Sequence, residues 1–434
     1  MVAPPGPTKP DFTPRTSSSA FSALRHRDFR LLWLGQIISV TGSQMQSVAI
    51  HWHVYLLTQS PLALGLVGLS KGAPIIICSL IGGVVADVAD RRRLMIATQT
   101  VMLISAALLT VVTVGGLKTA WPIYVLTGIA SGASAFDIPA RQALMPTLVP
   151  PRDFPNAVSL GLIVFNVAMI VGPSIAGFVL ASRGPAFIYG INALSFLAVI
   201  IALMLMKASG RVSLEEQKAT RIGFSALKEG LRFVWRTPII VQTMTLDFAA
   251  TFFASANALL PIFATDILQV GASGFGFLNA APAAGSVITG LVMARLGHFR
   301  YQGKLVIGSV AVFGLATVAF GLSRVFWFSL LMLAVTGAAD TVSTILRQTI
   351  RQLATPNYLR GRMTSINMIF FMGGPQLGEL EAGLLASLIR APFSVVVGGA
   401  GSISAALIAL VKAKTLVWYD DRLDDAAGRI RKRS

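Results

Sequence analysis

Charge is scarce in this chain. Of 434 residues only 12% are Asp, Glu, Lys or Arg, whereas an average soluble domain carries about 25%; 54% are hydrophobic and the mean hydropathy is +0.71. That shortage excludes a water-soluble globular protein. A single cysteine, Cys78, excludes an internal disulfide framework and a cysteine metal cluster. The four histidines, His26, His51, His53 and His298, are scattered, with no metal-ligand spacing and no nucleophile triad around them. No G-x-x-x-x-G-K-S/T loop occurs, so ATP is not the expected energy source. Neither an enzyme, nor a metal site, nor a bound cofactor is expected. The first 20 residues are rich in Pro, Ser and Thr without an apolar core, and they read as a disordered tail rather than a cleaved signal peptide.

Long apolar runs are what the chain has in abundance. They recur near residues 30–57, 61–87, 94–115, 119–140, 156–182 and 185–206, and again near 238–266, 271–296, 304–321, 325–346, 362–389 and 391–412. Each is about long enough to cross a bilayer as a helix. The expectation is an all-α membrane protein of twelve transmembrane helices in two sets of six. It comprises a tail over 1–29, a first bundle over 30–206, a linker over 207–237, a second bundle over 238–412 and a basic tail over 413–434.

A net charge of +18 raises nucleic acid as a partner, and the placement of the basic residues removes it. With a cytoplasmic N-terminus, the outward loops hold only Lys118, Arg183, Arg324 and Arg390, and Lys71 lies within a helix; the other 31 of 36 Lys and Arg fall on the inner side. That is the positive-inside bias, which places both termini in the cytoplasm of a multi-pass cell (inner) membrane protein. The C-terminal run Arg429 to Arg433 suits anionic lipid headgroups. Within the linker, Phe224, Leu227, Leu231, Val234 and Trp235 can share a helical face, which fits an amphipathic surface helix and equally a plain connection.

The chain also repeats itself. Sliding residues 141–177 forward by 206 positions makes nine of 37 coincide, among them Arg141/Arg347, Pro150/Pro356, Gly172/Gly378 and Gly177/Gly383. A weaker echo returns Phe21-Ser22-Ala23-Leu24 as Phe224-Ser225-Ala226-Leu227. Two parallel copies of one unit in a membrane point to a transporter that works at the seam between them.

After the second apolar run comes Gly83-Val84-Val85-Ala86-Asp87-Val88-Ala89-Asp90-Arg91-Arg92-Arg93. This resembles the signature loop of the major facilitator superfamily, G-x-x-x-D-R/K-x-G-R-R/K. Gly83, Asp87, Arg91 and Arg92 match, while Val88 replaces a basic residue and Asp90 a glycine. The resemblance implies a conformational latch at Asp87, one-sided because the stretch from Gly290 to Arg300 lacks the acid. Gly172-Pro173-Ser174-Ile175-Ala176-Gly177 is similar to the G-P-x-x-G-G motif of exporters in this superfamily, and reads also as an ordinary packing seam bent at Pro173. Arg141 to Pro150 and Arg347 to Gly383 resemble the branch that includes enterobactin exporters and macrolide efflux pumps. The implied fold is two pseudo-symmetric six-helix bundles.

Buried charges carry the remaining expectations, since an ionisable group at mid-membrane costs at least about 2.5 kcal/mol without a partner or a wet cavity. Lys71 on the second helix and Glu379 and Glu381 on the eleventh lie at similar depth, which predicts an ion pair that forms in one access state and breaks in another. Asp137 stands four residues before Arg141, the spacing of an intrahelical pair. Asp247 with Thr251, Asp340 with Thr344, and Ser43, Gln44, Ser47 and His51 put polar stripes on the helices that line the central cavity in the fold this resembles. Asp247 and Asp340 lead as proton carriers, with Glu379 and Glu381 next. His51 and His53, beside Trp52 and Tyr55, read as interfacial groups or as titrating ones. The expected function is proton-coupled export of a small amphipathic molecule by a monomer. Import of a nutrient on the same fold is the alternative, and a membrane sensor a remote one.

Overall fold

The computed structural model describes residues 21–208, 231–297, 299–356 and 359–419, with the side chains of 80–84, 86–88, 360–362, 364–365, 368–369 and 371–372 outside that description. Twelve long helices account for it: α1 (Arg27–Thr58), α2 (Pro61–Val88), α3 (Arg91–Val114), α4 (Trp121–Leu144), α5 (Phe154–Arg183), α6 (Pro185–Leu205), α7 (Pro238–Phe253), α8 (Gly271–Leu296), α9 (Gln302–Leu322), α10 (Phe326–Ala354), α11 (Arg360–Ile389) and α12 (Ala391–Lys412). The first 20 residues and most of the linker fall outside the described residues; of the expected amphipathic face only Leu231, Val234 and Trp235 are described, with Val234 buried and the other two exposed.

Local chemistry sets the boundaries. Ser60 caps α2 by accepting from the Ala63 N–H (3.4 Å), and Asp90 caps α3 by accepting from the Arg93 N–H (3.1 Å). Proline occupies the first turn of α4, α5, α6, α7 and α12, where its missing N–H costs nothing. Gly184 between α5 and α6, at φ 75°, takes a backbone conformation that a side chain would strain. Ten helices are long and apolar enough to cross a membrane among the described residues. Of the other two, α1 carries Gln36, Gln44, Gln46, His51 and His53, and the described part of α11 carries Gln376, Glu379 and Glu381. Polarity inside a spanning helix is a cost that function retains.

The helix neighbours form two copies of one pattern. In the first half α1 packs on α5 and α6, α2 on α4, and α3 on α4 and α6; in the second, α7 packs on α11 and α12, α8 on α10, and α9 on α10 and α12. The halves meet through α2 with α11 and α5 with α8, which are each other's images under the repeat. Both seams close on paired glycines. A Cβ built at Gly177 would lie 2.9 Å from Gly276 Cα, and one built at Gly383 would lie 2.7 Å from Gly65 Cα. Likewise Gly172 meets the Thr41 carbonyl of α1, as Gly378 meets the Phe252 carbonyl of α7. The offset between halves is therefore 206 on the later helices and 211 on the earlier ones (Gly65 to Gly276, Thr41 to Phe252).

Core packing differs between the two ends of the bundle. At the end away from the termini one cluster runs through both halves, from Trp52, Val54, Leu64 and Leu180 to Leu259, Phe263, Phe275 and Ala386. Trp52 stacks on Phe275 across the boundary at 5.2 Å. At the other end the apolar residues split into one cluster within the first half (Phe29, Met95, Leu144, Leu203) and one within the second (Ile240, Met293, Ile350, Leu416). The molecule is closed at one end and parted at the other.

Candidate functional site

Just beneath the closed end, three helices from both halves bring ionisable groups together. His51, a buried residue of α1, sets Nδ1 2.9 Å from the Ser47 carbonyl one turn back. Its Nε2 lies 3.5 Å from Glu379 Oε2, on α11 of the other half. Lys71, from α2, donates to Ser47 Oγ at 2.9 Å. The expected Lys71 pairing with Glu379 or Glu381 thus takes a different form: His51 is the base in contact with Glu379, Lys71 reaches the network through Ser47, and Glu381 is half-buried elsewhere on α11. Small residues make room for this: a Cβ at Gly68 would lie 2.6 Å from Glu379 Cβ. Above it Tyr55 donates to Asp266 Oδ2 at 2.5 Å, joining α1 to the segment that follows α7.

The seam related by the repeat is apolar. With the offsets above, His51, Lys71 and Glu379 correspond to Ile262, Pro282 and Pro173. One seam carries charge and the other does not.

A second network belongs to the second half, toward the parted end. Arg347, on α10 and 1% exposed, lies 2.8 Å from Asp247 Oδ1 on α7 and 3.7 Å from Asp340 Oδ1 on its own helix. It also donates to Thr344 Oγ1 (3.0 Å). Arg351 reaches Asp247 Oδ2 at 3.9 Å and donates to Asn367 (2.6 Å). Asp247 is buried between two guanidinium groups, whereas the Asp340 side chain is 46% exposed. In the first half the corresponding arginine, Arg141, donates to Gln36, the position that corresponds to Asp247. An amide there replaces an acid.

Other expected site residues are placed as follows. Asp137 accepts from Thr98 (3.1 Å) and Gln99 (3.0 Å) of α3 instead of pairing with Arg141. Arg91 donates to the Ala143 carbonyl at the end of α4 and Arg92 to Met204 at the end of α6, so these cations satisfy helix C-termini within the first half. The Asp87 side chain lies outside the described residues. Gln44 packs its Cβ against Gly172; Ser43 and Ser47 are partly exposed; and Thr251 donates to the Asp247 carbonyl (2.9 Å). The Pro173 carbonyl faces Gly276 across the apolar seam. His53 is buried against the Tyr189 hydroxyl (3.2 Å), which removes it and His51 from an interfacial role. Among the described residues no group of three His, Cys, Asp or Glu could hold a metal ion.

Arg347 and Arg351 are the site residues that sequence reasoning missed. Their signal was present in the Arg141/Arg347 coincidence, read there as symmetry rather than as charge.

Comparisons with known proteins bear on the whole length. The family described as transmembrane secretion effector matches residues 18–425. The chain is 26% identical over 387 residues to the enterobactin exporter EntS of Salmonella choleraesuis, covering 89% of this chain and 92% of that one. EntS of Shigella boydii is 25% identical over the same shares. Among solved structures, a POT family transporter in complex with 5-aminolevulinic acid superposes with a TM-score of 0.71 at 12% identity, over 90% of this chain and 96% of that one. A bacterial homologue of the human lysosomal transporter Spinster, inward-facing and unoccupied, gives 0.67 at 13% identity, over 90% and 96%. These structures share the fold.

Proposed function

Because the chain belongs to the transmembrane secretion effector family, within the major facilitator superfamily, we propose that it exports a small amphipathic organic molecule, of drug or siderophore type, against an inward flow of protons. The protein is a multi-pass transporter of the inner membrane, not an enzyme. We place both termini and the parted end in the cytoplasm, following the basic residues. The described conformation is then inward-facing, with the cargo crevice open between the halves. We take the protein to work as a monomer, since each half supplies one side of both seams.

The observation that carries this reading is the difference between the two ends: one apolar cluster shared by both halves at one end, two separate clusters at the other. Packed cores have discrete arrangements rather than a continuum, so exchanging which end is shut amounts to alternating access. Similarity to enterobactin exporters supports the outward direction and the cargo class. Asp340 and Thr344 of α10, with Ser43 and Ser47 of α1, are our candidates for cargo contact; all four are partly exposed.

Everted membrane vesicles from producing cells test the proposal. A panel of catecholate siderophores and amphipathic drugs is offered under an imposed gradient, acid inside. The expected result is accumulation of at least one compound that a protonophore abolishes. Accumulation indifferent to the gradient, or transport only in the opposite direction, contradicts it.

A further inference from the structure

Resting on that antiport reading, we infer that His51 and Glu379 form a binding site for a single proton, and that this proton ties the two halves together at the closed end. The inference starts from the tautomer of His51. A backbone carbonyl can only accept, so the contact of Nδ1 with the Ser47 carbonyl at 2.9 Å requires a hydrogen on Nδ1. A neutral ring with that hydrogen presents a lone pair at Nε2, and what Nε2 meets at 3.5 Å is Glu379 Oε2. Both atoms are buried from solvent and neither has a hydrogen-bond partner. With the ring neutral and the carboxyl ionised, two buried acceptors face each other, an arrangement that leaves both unsatisfied. One added proton resolves the conflict, either as imidazolium facing carboxylate or as neutral imidazole facing carboxylic acid. One proton is enough to give each of the two facing atoms a partner.

The surroundings favour this reading. Lys71, from α2, is the further cation coupled to Glu379, and it is held by the side chain of the same Ser47 whose carbonyl fixes the ring. The helices α5, α6, α7, α8 and α12, packed on α1 and α11, bring no other charged group within ion-pair distance of either residue. His53, two residues away, bonds to Tyr189 instead. Since His51 belongs to the first half and Glu379 to the second, the proton closes a bridge across the seam where Gly65 and Gly383 touch. Adding it from outside shuts that end and favours the inward-open form; losing it inside restores the repulsion and frees the seam. That is the order an exporter driven by proton entry requires. The related seam, with Ile262, Pro282 and Pro173, has no such device.

Four histidines in the chain make the site accessible to nitrogen NMR. The full-length protein, labelled in its histidines and held in lipid bilayers, is titrated from acid to alkaline pH, with H51Q identifying the His51 signals. The expected result is a hydrogen on Nδ1 throughout and one titration centred on Nε2. In E379Q, where the amide N–H can donate to Nε2 without any proton being bound, that titration is lost; in E381Q it is kept. A neutral ring carrying its hydrogen on Nε2, or the same His51 titration in E379Q as in wild type, overturns the inference. Unchanged signals of His53, which contacts Tyr189 on α6, guard against misfolding. Because the measurement needs no cargo, a failure here leaves the export reading standing, and gradient-independent vesicles would sink that reading without touching the site.

Discussion

Among the described residues Arg347 is the largest side chain buried to within 2%, and it is buried against two carboxylates. Removing one member of such a pair strands the other, at a cost of about 3–5 kcal/mol. We therefore expect R347A to unfold the second half at markedly lower temperature, and R347A/D247N to recover most of the loss; a double-mutant cycle on purified protein checks it. On the parted-end face, His26 Nε2 holds Asp153 Oδ2 at 2.9 Å, and this hydrogen bond keeps the Asp153 carboxyl below its ordinary value of 3.8. A depressed value stabilises the fold above that ordinary range, and the contribution fades as pH falls through the lowered value. D153N should accordingly reduce thermal stability at pH 7, by an amount that shrinks below pH 4. At this scale the sequence was partly legible. Asp340, Glu379 and Lys71 stood out because charge in an apolar run is conspicuous, but their partners lie on other helices. Spacing along one helix suggested Asp137 with Arg141, whereas the contacts that formed are with Thr98, Gln99 and Gln36 on neighbouring helices.

Helices meet here through glycine, both within the halves and at the two seams. At Gly383 an added methyl would sit 2.6 Å from the Pro61 carbonyl oxygen, with backbone on both sides and nothing able to yield. Overpacking of this kind costs about 1–3 kcal/mol, charged only to the state in which the seam is shut. G383A and G177A should each shift the protein toward opening at the outer end while leaving it folded, seen as increased thiol labelling of a cysteine placed there. Helix α7 shows the complementary feature. It stops at Ala254, where a carbonyl of Phe253 lies 2.1 Å from the Cβ position of Gly398, and resumes as short 3-10, α and π turns over residues 256–267. The repeat of 206 made the later helices readable, since Gly172, Gly177, Gly378 and Gly383 recur in it. The earlier helices carry the offset of 211, which a single sliding distance does not detect.

Taken as a molecule, the protein is a symmetric frame bearing an asymmetric load. Helix contacts repeat between halves, yet among the described residues the charges do not: one seam holds His51, Lys71 and Glu379, and Arg347 meets Asp247 where its counterpart Arg141 meets Gln36. Composition and run length revealed the frame, because bilayer thickness fixes how many residues a span needs. Which end is shut, and by what, depends on packing between distant segments and was beyond linear reading. The most direct test places spin labels, after Cys78→Ser, at Leu62 and Leu388 across the closed end and, in a second variant, at Val158 and Leu296 across the parted end. Distances are measured in lipid from acid to alkaline pH. Alternating access predicts reciprocal changes: as pH rises the first pair separates while the second approaches, and E379Q holds the first pair short throughout. Both pairs moving in the same direction, or neither responding, contradicts it.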